Sequence, residues 1–140
     1  MRRLLPLFAC CLLPAGCSAD PYPLASVSGV VTLNGEPLPG ARVGFEPIAK
    51  GDGLNAGQGS YAETDAEGRF TLTALNGKEG AVVGQHRVWI RTLKAQSDEN
   101  GRPTIVSGEK LPARYHDESE LTFDVPVGGS AQALFALTSP

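Results

Sequence analysis

The sequence predicts an all-β domain, a β-sandwich of six or seven strands, and three observations lead there. Short segments containing Val, Thr and Phe recur with a two-residue period, the spacing that gives a strand one apolar face. The 17 glycines and 11 prolines fall between those segments instead of forming one tract, which marks turns and not disorder. No stretch carries a helical period, and 140 residues with 41% hydrophobic content suit one domain with one core.

Met1 to Gly16 stands apart. Arg2-Arg3 precede the apolar run Leu4 to Leu13, and the small residues Ala15-Gly16 follow, the pattern of a secretory leader. As a helix, ten residues rise only about 15 Å against about 30 Å of hydrocarbon, too little to span a bilayer. The end of the leader, Leu12-Leu13-Pro14-Ala15-Gly16-Cys17, resembles the lipobox of bacterial lipoproteins, with Pro14 where an aliphatic residue is usual. The resemblance implies that Cys17 is acylated and becomes the mature N-terminus, with Ser18 pointing to the outer membrane of the cell envelope. The alternative is ordinary cleavage that leaves Cys17 free. Each buried CH₂ contributes about 0.8 kcal/mol, so the several acyl chains of such a lipoprotein hold a domain at the membrane.

The expected organisation is a signal over 1–16, a tether over 17–26 and a sandwich over 27–138. Cys10 and Cys11 leave with the leader, so no internal disulfide can form. Arg2 and Arg3 leave as well, so ten basic residues face fifteen acidic ones. That balance argues against nucleic acid as a partner, and no polybasic stretch is present to hold an anionic lipid surface.

In chain order, Ser18 to Ser26 contains Pro21 and Pro23 and reads as a semi-rigid link, with Tyr22 resting on the nearest surface or docking a partner. Val27 to Pro47 reads as a founding hairpin. Val27, Val31 and Leu33 share one face of its first strand, Ala41, Val43 and Phe45 one face of its second, and Asn34-Gly35, Pro37, Pro39 and Gly40 form the return. Ile48 to Gly59 has four glycines and no pattern, and reads as a mobile loop. Ser60 to Thr64 and Arg69 to Thr73 flank the turn Asp65-Ala66-Glu67-Gly68, with Phe70 and Leu72 inward.

Leu75 to Gly84 is loop-like, and Gln85 to Leu93 is a central strand with His86, Val88, Ile90 and Thr92 on its core face. Lys94 to Leu111 is eighteen residues without pattern, either mobile or a working surface. Pro112 to Tyr115 re-enters the fold, Leu121, Phe123 and Val125 alternate along a further strand, Gly128-Gly129 turns the chain, and Ala133, Phe135 and Leu137 face inward on the last strand. Phe45, Phe70, Phe123 and Phe135 are the expected heart of the core.

The candidate binding face lies on the central strand, where Arg87, Trp89 and Arg91 point outward. An indole between two guanidinium groups suits cation–π stacking and could meet a glycan or an envelope protein; the alternative is cross-strand cover for the sheet. Asp65 and Glu67 start like a calcium loop but lack the later ligands. His86 and His116 have neither the spacing nor the cysteines of a zinc site. Ser119, His116 and Asp117 are too close in sequence to meet the geometry of a hydrolytic triad. No cofactor is expected.

Val27-x-Gly29-x-Val31-x-Leu33-Asn34-Gly35, Pro37-Leu38-Pro39-Gly40-Ala41-x-Val43-x-Phe45 and Thr64-Asp65-x-Glu67-Gly68-x-Phe70 together resemble the carboxypeptidase regulatory-like family of transthyretin-like domains. Gly84-x-His86-x-Val88, Pro112-x-x-Tyr115 and Gly128-Gly129 with Phe135 and Leu137 are similar to its small planctomycete-type lipoproteins. The resemblance implies a prealbumin-like Greek-key β-sandwich of about seven strands in two sheets, serving as a non-catalytic binding or structural module. Hydroxyisourate hydrolase shares that architecture, and Thr64 to Arg69 echoes part of its pattern. The first strand has no histidine, however, and the chain ends Leu137-Thr138-Ser139-Pro140, so catalysis is not assigned to Arg69.

Overall fold

The computed structural model describes residues 21–50 and 56–140. The leader, Cys17 and residues 51–55 of the glycine-rich loop lie outside them. The described chain is all-β. Its strands are β1 (Leu24–Ala25), β2 (Val27–Leu33), β3 (Glu36–Pro37), β4 (Arg42–Pro47), β5 (Ser60–Glu63), β6 (Arg69–Thr71), β7 (Thr73–Ala74), β8 (Ala81–Val82), β9 (Gly84–Arg91), β10 (Lys94–Ser97), β11 (Pro103–Ser107), β12 (Thr122–Val125) and β13 (Ser130–Leu137), with one 3₁₀ turn at Ala113–Tyr115. A five-stranded sheet runs β12-β9-β4-β5-β7, and a four-stranded sheet runs β13-β2-β3 with β6 also on β2.

The two sheets enclose one core, consistent with a β-sandwich. Val27, Val31, Phe70, Ala133, Phe135 and Leu137 come from one sheet, and Val43, Phe45, Val88, Ile90 and Val125 from the other. Phe45 sits at the centre, its ring 5.5 Å from Phe123, 6.0 Å from Phe135 and 6.5 Å from Phe70. Each such ring contributes roughly 1.5–3 kcal/mol by leaving water. The inward faces read from residue parity are therefore the faces the fold uses.

The founding hairpin is not formed. Asn34 and Gly35, at φ 52° and 84°, do reverse the chain, as a two-residue turn closed by Leu33 opposite Glu36. The returning strand lasts only through Pro37, because the buried Leu38 then turns in and Gly40, at φ 67°, carries the chain to the other sheet. Thr64 fixes that corner. Its hydroxyl donates to the Leu38 carbonyl at 2.6 Å and accepts from Ala41 N–H at 2.9 Å, while Gly40 N–H donates to its carbonyl at 3.0 Å. β2 and β4 thus face each other across the core instead of pairing.

The turn at Asp65–Gly68 is present. Asp65 Oδ1 accepts from Glu67 and Arg69 N–H, each at 2.9 Å. Its two strands then separate, β5 to β4 and β6 to β2, so this hairpin also feeds both sheets. Leu72, fully buried, marks the point where β6 gives way to β7.

Two further segments differ from expectation, and the last strand, present as expected, has a parallel partner. Leu24–Ala25, assigned to the tether, pairs with β8 from the stretch read as loop, so the folded body starts before Val27. Lys94 to Leu111 is not patternless, since β10 and β11 pair as an antiparallel ribbon that leaves the sandwich. Its turn repeats the chemistry of Asp65: Asp98 Oδ1 accepts from Asn100 and Arg102 N–H, each at 2.8 Å. Finally, β13 lies parallel to β2, Phe135 opposite Val31, and a Cβ on Gly29 would stand 1.8 Å from the Ala133 carbonyl oxygen. Only glycine permits that approach.

Candidate functional site

The outer face of β9 is the only part of the expected machinery that the fold assembles among the described residues. Arg87, Trp89 and Arg91 alternate with the buried His86, Val88 and Ile90, and the register with β4 sets Trp89 opposite Gly44, Arg87 opposite Glu46 and Arg91 opposite Arg42. A Cβ on Gly44 would lie 2.1 Å from the indole, so the ring rests where a side chain is missing. Its N–H donates to Glu46 Oε1 at 3.1 Å, the Arg91 guanidinium stands over the ring at 4.9 Å, and Tyr61 packs beside it at 5.8 Å. The indole is thus held by Gly44, Glu46, Arg91 and Tyr61 in the manner of cross-strand cover, while it stays half-buried at the edge of a cleft.

Arg87 is more fully committed. Its Nε donates to the Ser119 carbonyl at 3.2 Å, and Nη2 to those of His116 and Asp117 at 3.2 and 3.3 Å. A planar fork of fixed donors suits three converging carbonyls, and here it ties the 113–119 loop to the sheet. Glu46 Oε2 lies 3.5 Å from Arg87, and Asp117 pairs with Arg91 at 3.0 Å. The Arg42 side chain makes no ion pair or hydrogen bond among the described residues. With His116 these groups line a cleft of about 360 Å³. Sequence reasoning does not single out Arg42 and Glu46, although they share the outward parity of β4, and it considers Asp117 only beside Ser119 and His116 and not as a partner of Arg91.

The other constellations do not converge. Ser119 Oγ donates to the Val88 carbonyl and not to His116. His116 faces the Leu111 carbonyl through Nε2 at 3.2 Å and Asp117 through Nδ1 at 3.3 Å. His86 is fully buried, with Nε2 2.6 Å from the Val82 carbonyl; a carbonyl can only accept, so Nε2 carries the proton. Burial pushes the pKa of His86 down, and the Val82 carbonyl offsets part of that. Asp65 spends its carboxylate on its own turn, Arg69 lies exposed on β6, and no trio of His, Cys, Asp or Glu able to hold a metal occurs among the described residues. Tyr22 packs onto the body, its ring 3.0 Å from where a Gly57 Cβ would be.

Two further polar clusters escaped sequence reasoning. Arg114 and Tyr115, beside a hollow of about 620 Å³, spend their groups on the end of β13: Arg114 Nη2 donates to the Thr138 carbonyl at 2.6 Å, and Thr138 N–H donates to the Tyr115 hydroxyl at 2.9 Å. Glu109 closes the base of the β10–β11 ribbon. Its Oε1 accepts from Thr92 N–H at 2.9 Å, the Thr92 hydroxyl at 2.8 Å and Leu111 N–H at 3.1 Å, and its Oε2 from Leu93 N–H at 3.3 Å. Burial works against the charged form, but these donors outweigh it and hold the carboxyl below its ordinary pKa.

No family model matches the chain, and no curated protein matches it. Among solved structures it is similar to a 9R-lipoxygenase from Cyanothece PCC8801, at 14% identity and a TM-score of 0.40. That alignment covers 88% of this chain, which spans 18% of the lipoxygenase.

Proposed function

We propose that this chain is a non-catalytic, lipid-anchored module of the bacterial cell envelope, held at the outer membrane by acylated Cys17 and built as a transthyretin-like Greek-key sandwich of the carboxypeptidase regulatory-like type. One observation carries the non-catalytic part: the polar side chains that converge outside β9 are spent on one another and on loop carbonyls. A group that must accept a proton or attack a substrate has to be free to do so. The anchor rests on the leader and on the residues around Cys17. Changing Cys17→Ser should move the protein from the membrane to the soluble fraction, and unchanged partitioning refutes the anchor. Steady hydrolysis of a hydroxyisourate-type lactam by the purified domain refutes the non-catalytic reading.

A glycan-binding role is the second reading, favoured by the unpaired Arg42 in the cleft beside Trp89. A glycan array without signal, or retained binding by Trp89→Ala, removes it.

A further inference from the structure

The ends of the strands place an apolar surface where the tether leaves the domain. β4 ends and β9 begins at one pole of the sandwich, with Pro47 opposite His86. β12 ends there with Val125 opposite Gly84, β5 begins and β7 ends there with Ser60 opposite Ala74, and β2 and β13 begin there with Val27 opposite Ser130. The loops that cap this pole carry Val127, Leu75 and Ile48, 85%, 68% and 40% exposed. Pro21 and Tyr22 share a cleft of about 290 Å³ with Ile48 and Lys50 at the same pole. Among the described residues the other large exposed apolar side chains lie elsewhere, Ile105 and Val106 on the ribbon beyond the far end of β9, and Leu134 on the outer side of β13.

Only Ser18, Ala19 and Asp20 separate Cys17 from Pro21. Fully extended, the four steps span at most about 14 Å. The polar headgroup layer on each side of the hydrocarbon is itself about 5–8 Å deep. We infer that this pole is a membrane-contact surface, with Val127, Leu75 and Ile48 seated in the interfacial layer of the bilayer that holds the acylated cysteine. The inference rests on the lipid-anchor reading above. Among the described residues here Lys50 and Lys78 stand against Glu79 and Asp124, and with Asp20 and Asp52 in the adjoining sequence there is no positive excess to hold an anionic lipid surface, so the contact is apolar and not electrostatic. It also sets an orientation: the β10–β11 ribbon points away from the membrane.

The test uses full-length acylated protein reconstituted on phosphatidylcholine vesicles, carrying Val127→Cys, Leu75→Cys or Ile105→Cys as the single free thiol. Reaction with a membrane-impermeant maleimide is compared, site by site, with the same variant in solution as the unacylated mature chain, without residues 1–16 and with Cys17→Ser, which also lacks Cys10 and Cys11. Labelling at 127 and 75 should slow about tenfold on vesicles, the scale set by removing one large apolar side chain from water, while labelling at 105 is unchanged. Protein that sediments with the vesicles but is labelled alike at 127 and 105 overturns the contact surface and leaves the anchor standing. Protein that does not sediment with them overturns both. Slow labelling at 127 in the soluble form, together with the mass of a dimer, shows a second copy on this pole and overturns the membrane assignment.

Discussion

Glu109 offers the sharpest test of how the ribbon is attached. Its carboxylate accepts from Thr92 N–H and is the nearer acceptor for the Thr92 hydroxyl, and it also serves Leu93 and Leu111. Hydrogen bonds to a charged group contribute roughly 1.5–3 kcal/mol each, less where the group stays partly wet. Glu109→Gln keeps one acceptor oxygen and loses the charge, so it should cost about 1 kcal/mol. Glu109→Ala loses every acceptor and should cost about 2–3 kcal/mol. Because the folded pKa is depressed, the stabilisation is fully present above the ordinary glutamate value near 4.5 and disappears as pH falls through the lower folded value. Urea unfolding of wild type and Glu109→Gln at pH 7 and at pH 3 measures this. The gap between them should narrow at the lower pH, and amide exchange at Thr92, Leu93 and Leu111 should quicken in the variant. A gap of equal size at both pH values refutes the carboxylate clamp.

Gly44→Ala drives a methyl into the Trp89 ring and should destabilise the domain by about 1–3 kcal/mol with a red shift of indole emission; an unshifted spectrum refutes the close contact. Arg87→Ala removes three bonds to carbonyls and should cost about 2–3 kcal/mol, with amide exchange rising between residues 116 and 121 and not in β2; uniform exchange would mean Arg87 does not pin that loop. His86 has a folded pKa below its unfolded one, so the unfolded chain takes up the proton first and stability falls as pH drops below about 6.5. His86→Phe should flatten the melting temperature between pH 7.5 and 5.5, and a parallel decline in both proteins assigns the acid sensitivity elsewhere. Thr64→Val deletes both side-chain bonds at the sheet-crossing corner and should cost about 2 kcal/mol by chemical unfolding, and a change below ~0.5 kcal/mol refutes its role.

The strand faces were legible because a two-residue apolar period reports which side of a strand is dry. Val27, Val31, Val43, Phe45, Val88, Ile90, Phe135 and Leu137 all lie where that period sets them. Strand partners were not legible, since the same period is indifferent to the neighbour. β2 and β4 look like two arms of a hairpin until Leu38 and Gly40 are seen to carry the chain between sheets. The β10–β11 ribbon escaped for the opposite reason: nearly all of it faces solvent, so no apolar period exists to find. Its turn was nonetheless spelled out, for Asp98-Glu99-Asn100-Gly101-Arg102 repeats the Asp65-Ala66-Glu67-Gly68-Arg69 turn read correctly. At the candidate site, parity placed Arg87, Trp89 and Arg91 on one face, while the carbonyls that occupy Arg87 come from a loop some thirty residues downstream.

The parallel seam between the first long strand and β13 ties the fate of the whole core to residues translated long after β2. Until Phe135 and Leu137 have emerged from the ribosome, Val27 and Val31 have no neighbour on that side, and a nascent chain stays open and threadable. A stop codon ahead of β13 would therefore give not a shorter domain but a chain unable to close.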